Sequence, residues 1–454
     1  MFFLVLIMTS FYKEDFCREF RHVYLLVDCN NFFVSCERLL HPDLNFKPVI
    51  VLSNNDGCVV ARSDEAKALG IKMGEAVFKI RNLIESKNVA VFSSNFNLYL
   101  DISSRVVRTL ESMCPHVEQY SIDESFIFFE KATEESAKDL ACKVRNTLAY
   151  SLGIPVGIGI GTSKTLAKLA SYYAKRKVKR SGAYFSGLNE KDRLFLLKNN
   201  PVSEVWGIGK RLNLKLQSMG IFTAWQFAQT DLNKLRRSFN INAVQTAKEL
   251  SGIDCIVEDM SEENQSQIMW SRSFKERLLT KEEIFEALAN YTVKAAEKLR
   301  SQQKYCKCVH FHIRTSLYGN KAKYSAEETI ILPYLSNDTR DFIDAAKKAL
   351  DLMYRPGYEY MKAGVILTDF AFARTEQSDL FCAAPDIGLQ KKADSLMQAL
   401  DTLNSRKSNT VYLGAQGGLL KDKKYLNRQF LSQSFADFYD LPEVSYAIKE
   451  KSKK

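Results

Sequence analysis

Unbroken apolar runs, punctuated by short polar clusters, divide the first half of the chain into strands and helices. Val23-Tyr24-Leu25-Leu26-Val27 is β-prone and ends in Asp28. Phe126-Ile127-Phe128-Phe129 is a second such run, entered through Tyr120-Ser121-Ile122-Asp123-Glu124-Ser125. Runs of this kind predict buried strands. A third, 154–161, carries Gly157, Gly159 and Gly161. Stretches of helical character alternate with the strands: 32–40, 96–113 with Leu98, Ile102, Val106 and Leu110 spaced by four, 137–148 and 162–174. This order predicts an open α+β sheet covered by helices on one side. Residues 34–95 form a small unit inserted between two strands of that sheet. In it, Pro48-Val49-Ile50-Val51-Leu52 and Cys58-Val59-Val60-Ala61-Arg62 flank the turn Ser53-Asn54-Asn55-Asp56-Gly57, and a short helix, 65–69, is closed by Gly70.

The pattern changes in the second half. Val205-Trp206-Gly207-Ile208-Gly209-Lys210-Arg211 lies between two short helical segments. Gly-Ile-Gly in that setting is a helix–hairpin–helix signature: bare backbone N–H groups at a helix start can meet a DNA phosphate, and Lys210 and Arg211 add charge. Residues 258–267 are polar and acidic and read as a linker. Beyond it come a strand (268–274), a long helix (281–301), strands 306–315 and 328–332, a helix (339–353) and a strand (363–372), a βαββαβ unit. By the period of two, Cys306, Cys308, His310 and His312 share one face, expected to be packed under a helix. Spread over about 20 Å at ~3.3 Å per residue, they do not converge on one metal ion. A polar loop, 374–381, then carries the isolated pair Leu380-Phe381, and a helix is expected at 390–403.

Charge and composition narrow the partners. At 454 residues the chain is long enough for three or four domains. Its 64 Lys+Arg against 53 Asp+Glu leave +11, which favours a polyanion, either nucleic acid or an anionic membrane surface. Ten scattered cysteines without a CxxC pair point to a reducing, cytoplasmic protein. No stretch reaches transmembrane length, and the apolar residues 1–8 lack the basic flank of a signal peptide. Residues 1–22 are expected to be a poorly constrained extension. The glycines of 157–161 do not match dinucleotide or P-loop spacing, so they read as a close backbone approach. The basic run from Lys175 to Arg180 is either a solvated face or a phosphate contact. The acids at 28, 123 and 124 leave two readings open: ordinary strand-end carboxylates in water, or a divalent-metal site, because a buried carboxylate needs a cation.

Seven stretches in one order resemble the Y-family DNA polymerases, most closely the UmuC type, the catalytic subunit of DNA polymerase V. They are Val27-Asp28-Cys29-Asn30-Asn31-Phe32-Phe33, Leu52-Ser53-Asn54-Asn55-Asp56-Gly57-Cys58, Ala61-Arg62 through Glu65-Ala66-Lys67-Ala68-Leu69-Gly70, Ser121-Ile122-Asp123-Glu124, Thr165-Leu166-Ala167-Lys168-Leu169-Ala170, Val205-Trp206-Gly207-Ile208-Gly209 and Ala295-Ala296-Glu297-Lys298-Leu299-Arg300. The resemblance implies a right-hand polymerase: palm at 23–33 and 96–191, fingers at 34–95, thumb at 192–260, little finger at 268–373, a clamp-docking linker at 374–385 and a UmuC-type tail at 386–454, with no counterpart for 1–22. It implies that Asp28, Asp123, Glu124 and the Cys29 carbonyl hold two Mg²⁺ ions, and that Asn31, Phe32, Arg62, Lys67 and Lys175 meet a dNTP. Phe33 falls at the steric-gate position that excludes a ribose 2′-OH, where many relatives have tyrosine. Gly207, Gly209, Lys210 and Arg211 would grip DNA, and Gln377, Leu380 and Phe381 would enter a sliding clamp. The implied partners are primer–template DNA, the clamp, a UmuD′ dimer and RecA, in error-prone synthesis across lesions during the SOS response, in the cytoplasm at the nucleoid.

Two other classes stay open on the residues: a non-catalytic DNA-binding scaffold, and another palm-type nucleotidyl enzyme such as a cyclase. Retention of all three acids disfavours the first, and the duplex-gripping thumb and little finger disfavour the second. Adjacent residues on a flat strand face opposite sides. Asp123 and Glu124 are therefore expected at a hairpin end or twisted step, turned towards Asp28.

Overall fold

The computed structural model describes residues 19–177, 184–256, 266–372, 387–406, 410–417 and 429–432. The chain divides into two compact units, residues 1–258 with 430–454, and residues 259–429.

In the first unit the strands are β1 (Glu19–Phe20), β2 (Val23–Cys29), β3 (Val49–Leu52), β4 (Val59–Arg62), β5 (Ala90–Ser93), β6 (Val117–Gln119), β7 (Glu124–Phe129), β8 (Ala132–Thr133), β9 (Val156–Gly161) and β10 (Tyr184–Ser186). Five make the main sheet in the order β10-β9-β2-β7-β6. β2 lies at its centre, antiparallel to β7 and β9. Its alternate residues enter different cores. Val23, Leu25 and Val27 pack with Leu98, Ile102 and Val106 of the Phe96–Met113 helix and with Val144 and Leu148 of the Glu134–Leu152 helix. Tyr24 and Leu26 pack the other way, with Phe126 and with Ala167 of the Lys164–Lys177 helix. Helices therefore cover both faces of the sheet, not one. A strand apolar on both sides needs two covers, and the element order alone does not reveal the second.

The glycines of β9 make the second cover possible. A Cβ on Gly159 would lie 2.0 Å from the Ala167 carbonyl oxygen, and one on Gly161 would lie 2.7 Å from the Ala167 nitrogen. The Lys164–Lys177 helix thus rests its backbone directly on the strand.

In the insert, β3 and β4 form the expected antiparallel hairpin. A further strand, β5, was not foreseen; it pairs parallel to β3 after the Val77–Ser86 helix. The end of the expected extension also joins the fold: β1 pairs with β8, and His22 Nδ1 lies 2.8 Å from Asp254 Oδ2. Helices Glu190–Asn199, Lys210–Ser218, Ala224–Ala228, Leu232–Ser238 and Ile241–Leu250 share a core built on Leu196, Leu216, Phe227, Leu235 and Leu250.

The second unit holds β11 (Gln267–Leu278), β12 (Tyr305–Thr315), β13 (Ser325–Ser336) and β14 (Tyr360–Ala371) in the order β11-β14-β12-β13, all antiparallel. With helices Lys281–Ser301 and Thr339–Met353 they make the βαββαβ unit. Of the face of β12 expected to pack under a helix, only Cys306 enters the core. The strand register slips between Cys306 and Cys308, so Val309, Phe311 and Ile313 enter the core while Cys308, His310 and His312 stay only partly buried. One extra residue at a bulge inverts the alternation. His310 is instead held between hydroxyls, 2.8 Å from Thr329 Oγ1 and 2.8 Å from Thr368 Oγ1. The tail helix Ile387–Arg406 docks through Asp401, whose carboxylate takes two bonds from Arg300 at 2.7 and 2.8 Å.

Residues 1–18, the end of the basic run (178–180), most of the linker (257–265), the peptide with Gln377, Leu380 and Phe381, and residues 433–454 lie outside the described residues. The eight cysteines among the described residues are free. Among those residues no helix is long and apolar enough to cross a membrane.

Candidate active site

One end of the main sheet gathers the acids. Asp28, next to last in β2, pairs in register with Glu124, the first residue of β7. Asp123 precedes β7 in the turn from β6, and its carbonyl accepts from the Cys29 N–H at 2.9 Å. The turn is tight: the Tyr120 and Ser121 N–H groups both donate to the Glu124 carbonyl, at 3.1 and 3.0 Å. Ser121 Oγ donates to Asp123 Oδ1 at 2.7 Å and accepts from the Glu124 N–H at 3.0 Å. Asp123 and Glu124 thus sit at a hairpin end beside the end of β2.

Cations reach these acids from a single helix. Lys168 Nζ lies 2.9 Å from Glu124 Oε2, and Lys175 Nζ pairs with Asp28 Oδ1. Lys164, one turn before Lys168, bonds both oxygens of Glu118 at 2.9 and 2.7 Å. Gly157 gives Lys175 its passage, since a Cβ there would lie 2.9 Å from Lys175 Cγ. Lys168 also lies over the Tyr120 ring, 4.3 Å from its centroid, while Trp206 Nε1 donates to Tyr120 Oη at 3.2 Å. Trp206 thereby ties the Gly-Ile-Gly segment to the acidic turn.

Burial pushes Asp28 up to about 6; Lys175 opposes that, and Glu124 and Asp123 add to it. The three carboxylates therefore share one local potential that favours added positive charge. As they stand, no group of three His, Cys, Asp or Glu side chains among the described residues is arranged to hold an ion. Each acid is turned onto its own partner: Asp28 onto Lys175, Glu124 onto Lys168, Asp123 onto Ser121. The donor set itself, three hard carboxylate groups beside a backbone carbonyl, suits a hard divalent cation.

The residues expected to meet a nucleotide divide into groups. Asn31 heads the Phe32–Leu40 helix in the left-handed region, at φ 48°. Its side chain does not cap that helix. It donates to Asp64 Oδ1 at 3.2 Å and accepts from Lys67 Nζ at 2.6 Å. Asn31 and Lys67 are thus brought together. Phe32 is buried, and Phe33 stacks on Tyr99 with 4.4 Å between centroids. Arg62 is not grouped with them by any hydrogen bond; its Nη1 is bonded to the Ile71 carbonyl. Gly209 begins the Lys210–Ser218 helix without a side-chain cap, and a Cβ on it would meet nothing within 4 Å. Gly207 holds φ +82°, and Lys210 and Arg211 are exposed. Gln377, Leu380 and Phe381 cannot be located among the described residues.

Sequence reading missed Lys168 and Ser121 as partners of the acids. The signal was present in the spacing of Lys164, Lys168 and Lys175 along one helix (i, i+4, i+11), which lines up on one side. It also missed Glu37 and Tyr99, far apart in sequence, which no local pattern joins.

Residues 27–172 match the impB/mucB/samB family, and residues 265–380 match the C-terminal domain of the same family. The chain is 40% identical to Protein ImpB of Salmonella typhimurium over 424 residues, 92% of this chain and 99% of that protein. It is 38% identical to Protein UmuC of Salmonella typhimurium over 423 residues, 92% and 98% of the two chains. DNA polymerase IV of Clostridium acetobutylicum is 27% identical over 398 residues, 85% of this chain and 96% of that one. Among solved structures, a Y-family DNA polymerase chimera of Dbh and Dpo4 shares the fold at a TM-score of 0.62 and 18% identity, over 76% of this chain and 98% of that one. With the fold, the acid-bearing sheet and near full-length identity all agreeing, the chain belongs to the impB/mucB/samB family, the UmuC-type branch of the Y-family DNA polymerases.

Proposed function

We propose that the chain is a template-directed, error-prone DNA polymerase that copies past lesions in the SOS response, adding dNMP to a primer 3′-hydroxyl with two Mg²⁺ ions. The observation that carries this reading is the β2–β7 register, which sets Asp28 opposite Glu124 and next to Asp123. Asp28, Asp123, Glu124 and the Cys29 carbonyl would hold the ions. When bound, such ions raise the nucleophilicity of the attacking hydroxyl and stabilise charge on the oxygens in flight. The chain's own residues orient the substrates. Lys67, held by Asn31, and Lys175, held at Asp28, supply positive charge for the triphosphate, and free N–H groups at the head of the Phe32–Leu40 helix suit phosphate oxygens. Phe33 closes the sugar side against a 2′-OH. Gly207, Gly209, Lys210 and Arg211 offer bare backbone and charge to a DNA phosphate. Arg62 remains a phosphate candidate only if it leaves the Ile71 carbonyl.

The division into palm, fingers, thumb and little finger, as bounded above, is part of the same reading. So are docking of Gln377, Leu380 and Phe381 into a sliding clamp, action with a UmuD′ dimer and RecA, and a bacterial cytoplasmic site of work. The test is primer extension by the purified chain, with Asp123→Asn as control. Mg²⁺-dependent extension lost in the variant supports the reading. No extension with or without UmuD′, RecA and the clamp overturns it.

A further inference from the structure

A buried carboxyl that nucleotidyl transfer does not use sits one turn beyond Phe33. Glu37 is fully buried on the Phe32–Leu40 helix. Tyr99, also fully buried, donates its hydroxyl to Glu37 Oε1 at 2.6 Å. The ring of Tyr99 lies flat against Phe33, with 4.4 Å between centroids and 12° between planes, and Phe96 stands edge-on to Phe33 at 5.8 Å. Phe33 has no hydroxyl to anchor itself, so its position rests on ring contacts, of which, among the described residues, Tyr99 is the closest and the only flat one, with Phe96 and Phe32 at 5.8 and 5.9 Å.

The brace extends to the far end of the chain. Phe430 pairs with the end of β5: its carbonyl accepts from the Ser93 N–H at 2.9 Å, and its N–H donates to Ser93 Oγ at 3.0 Å. Asn95 accepts from the Leu98 N–H at the head of the Tyr99-bearing helix. Through Nδ2 it also donates to the Ser432 carbonyl at 3.3 Å and to Ser432 Oγ at 3.1 Å. Glu37 Oε2, also buried, has no hydrogen-bond partner among the described residues, and Tyr99 holds the carboxyl through Oε1. A buried carboxyl is costly unless its partner stays in place, so Glu37 fixes Tyr99 from one side while Asn95 ties the head of the Tyr99-bearing helix to Ser432.

We propose that Tyr99, braced by Glu37 and by residues 430–432, is the positioning residue that sets how closely Phe33 approaches the sugar of the incoming nucleotide, so that the C-terminal end of the chain takes part in choosing deoxyribose over ribose. This rests on Phe33 acting as the sugar gate.

The test is single-nucleotide insertion opposite a template dG by the full chain, comparing kcat/KM for dCTP with that for CTP. Phe33→Ala is expected to lower the dCTP/CTP ratio by about a hundredfold or more, and Tyr99→Phe and the Asn95→Ala/Ser432→Ala double variant by about five- to twentyfold, as expected for lost exclusion rather than lost chemistry. Glu37→Gln still accepts from Tyr99 and should keep the ratio, whereas Glu37→Ala should not. Asn95 is buried and caps the Tyr99-bearing helix, so Ser432→Ala alone, at a half-buried position, guards against a folding failure and should lower the ratio in the same direction. If Phe33→Ala moves the ratio while Tyr99→Phe and the double variant leave it unchanged, the proposal falls and the gate reading stands. If dCTP and CTP fall in equal proportion, the brace is merely structural and the proposal falls. If Phe33→Ala leaves the ratio unchanged, both fall.

Discussion

The β10-β9-β2-β7-β6 sheet and the β11-β14-β12-β13 sheet both carry polar side chains on strands that also build a core, and they dispose of them differently. In the first, helices cover both faces, and the acids are confined to strand ends at one edge, where Lys168 and Lys175 reach them. In the second, the core occupies one face, and Cys308, His310 and His312 run along the other. Glycine serves each arrangement. Gly159 admits a helix backbone, whereas at Gly364 a Cβ would lie 2.4 Å from His312 Cε1, so the imidazole lies against bare backbone. The difference shows which polar pattern needs a charged partner. A carboxylate at the end of a doubly covered strand is expensive to keep and must be matched by a cation. A polar row on a half-covered sheet costs little, and alternation explains it without a ligand.

The largest effect should come from the acids. Asp123→Asn is expected to lower primer extension by about a thousandfold, several kcal/mol of lost charge stabilisation, read by single-turnover extension. An equal loss from His310→Ala would erase the distinction between the sheets. Gly159→Ala should come next. Its new Cβ would meet backbone that cannot swing aside, so stability should fall by about 1–3 kcal/mol in urea denaturation. Extension should fall with it, because Lys168 and Lys175 ride on the displaced helix. His310→Ala should cost about 0.5–1.5 kcal/mol for its hydroxyl partners, leave dNTP insertion intact, and give no change in Zn²⁺ response. A Zn²⁺-induced rise in Tm that the variant loses would make the second sheet a metal site.

The smallest effect is a pH dependence. Burial holds the Glu37 carboxyl above the usual range, against the pull of Tyr99, Ser432 and His41. A raised folded value means that the protonated form is favoured in the fold. The stabilising contribution is thus present below the unfolded value and lost as pH rises through the folded one. Glu37→Gln should therefore raise Tm at pH 7–8 relative to the parent and give no gain near pH 4. A constant difference across that range would contradict the burial argument.

Much of this was legible in the chain. The βαββαβ order, the 281–301 and 339–353 helices and the 96–113 helix follow from period and capping residues, and the structure reproduces their bounds. The rest was hidden for physical reasons. The face of β12 was inverted because a bulge adds one residue, which no hydropathy pattern marks. The second helical cover was missed because a strand apolar on both sides does not say which helix lies where. The left-handed backbone of Asn31 turns its amide to Asp64 and Lys67 and not to the helix N–H groups, which residue type does not reveal. At the acidic end of the sheet, residue type and order single out Asp28, Asp123 and Glu124 as candidates, and the strand register sets them side by side. The lysines and Ser121 that meet them required the glycine-permitted approach to be seen in three dimensions.

The central claim is that Asp28, Asp123 and Glu124 act as one divalent-cation site. Mn²⁺ binding to the full chain with primer–template DNA and a dNTP, followed by electron paramagnetic resonance, tests it most directly. The account predicts two bound ions per chain, with at least one lost in Asp123→Asn and in Asp28→Asn while dNTP is still bound. Identical Mn²⁺ binding by the parent and both variants would contradict it.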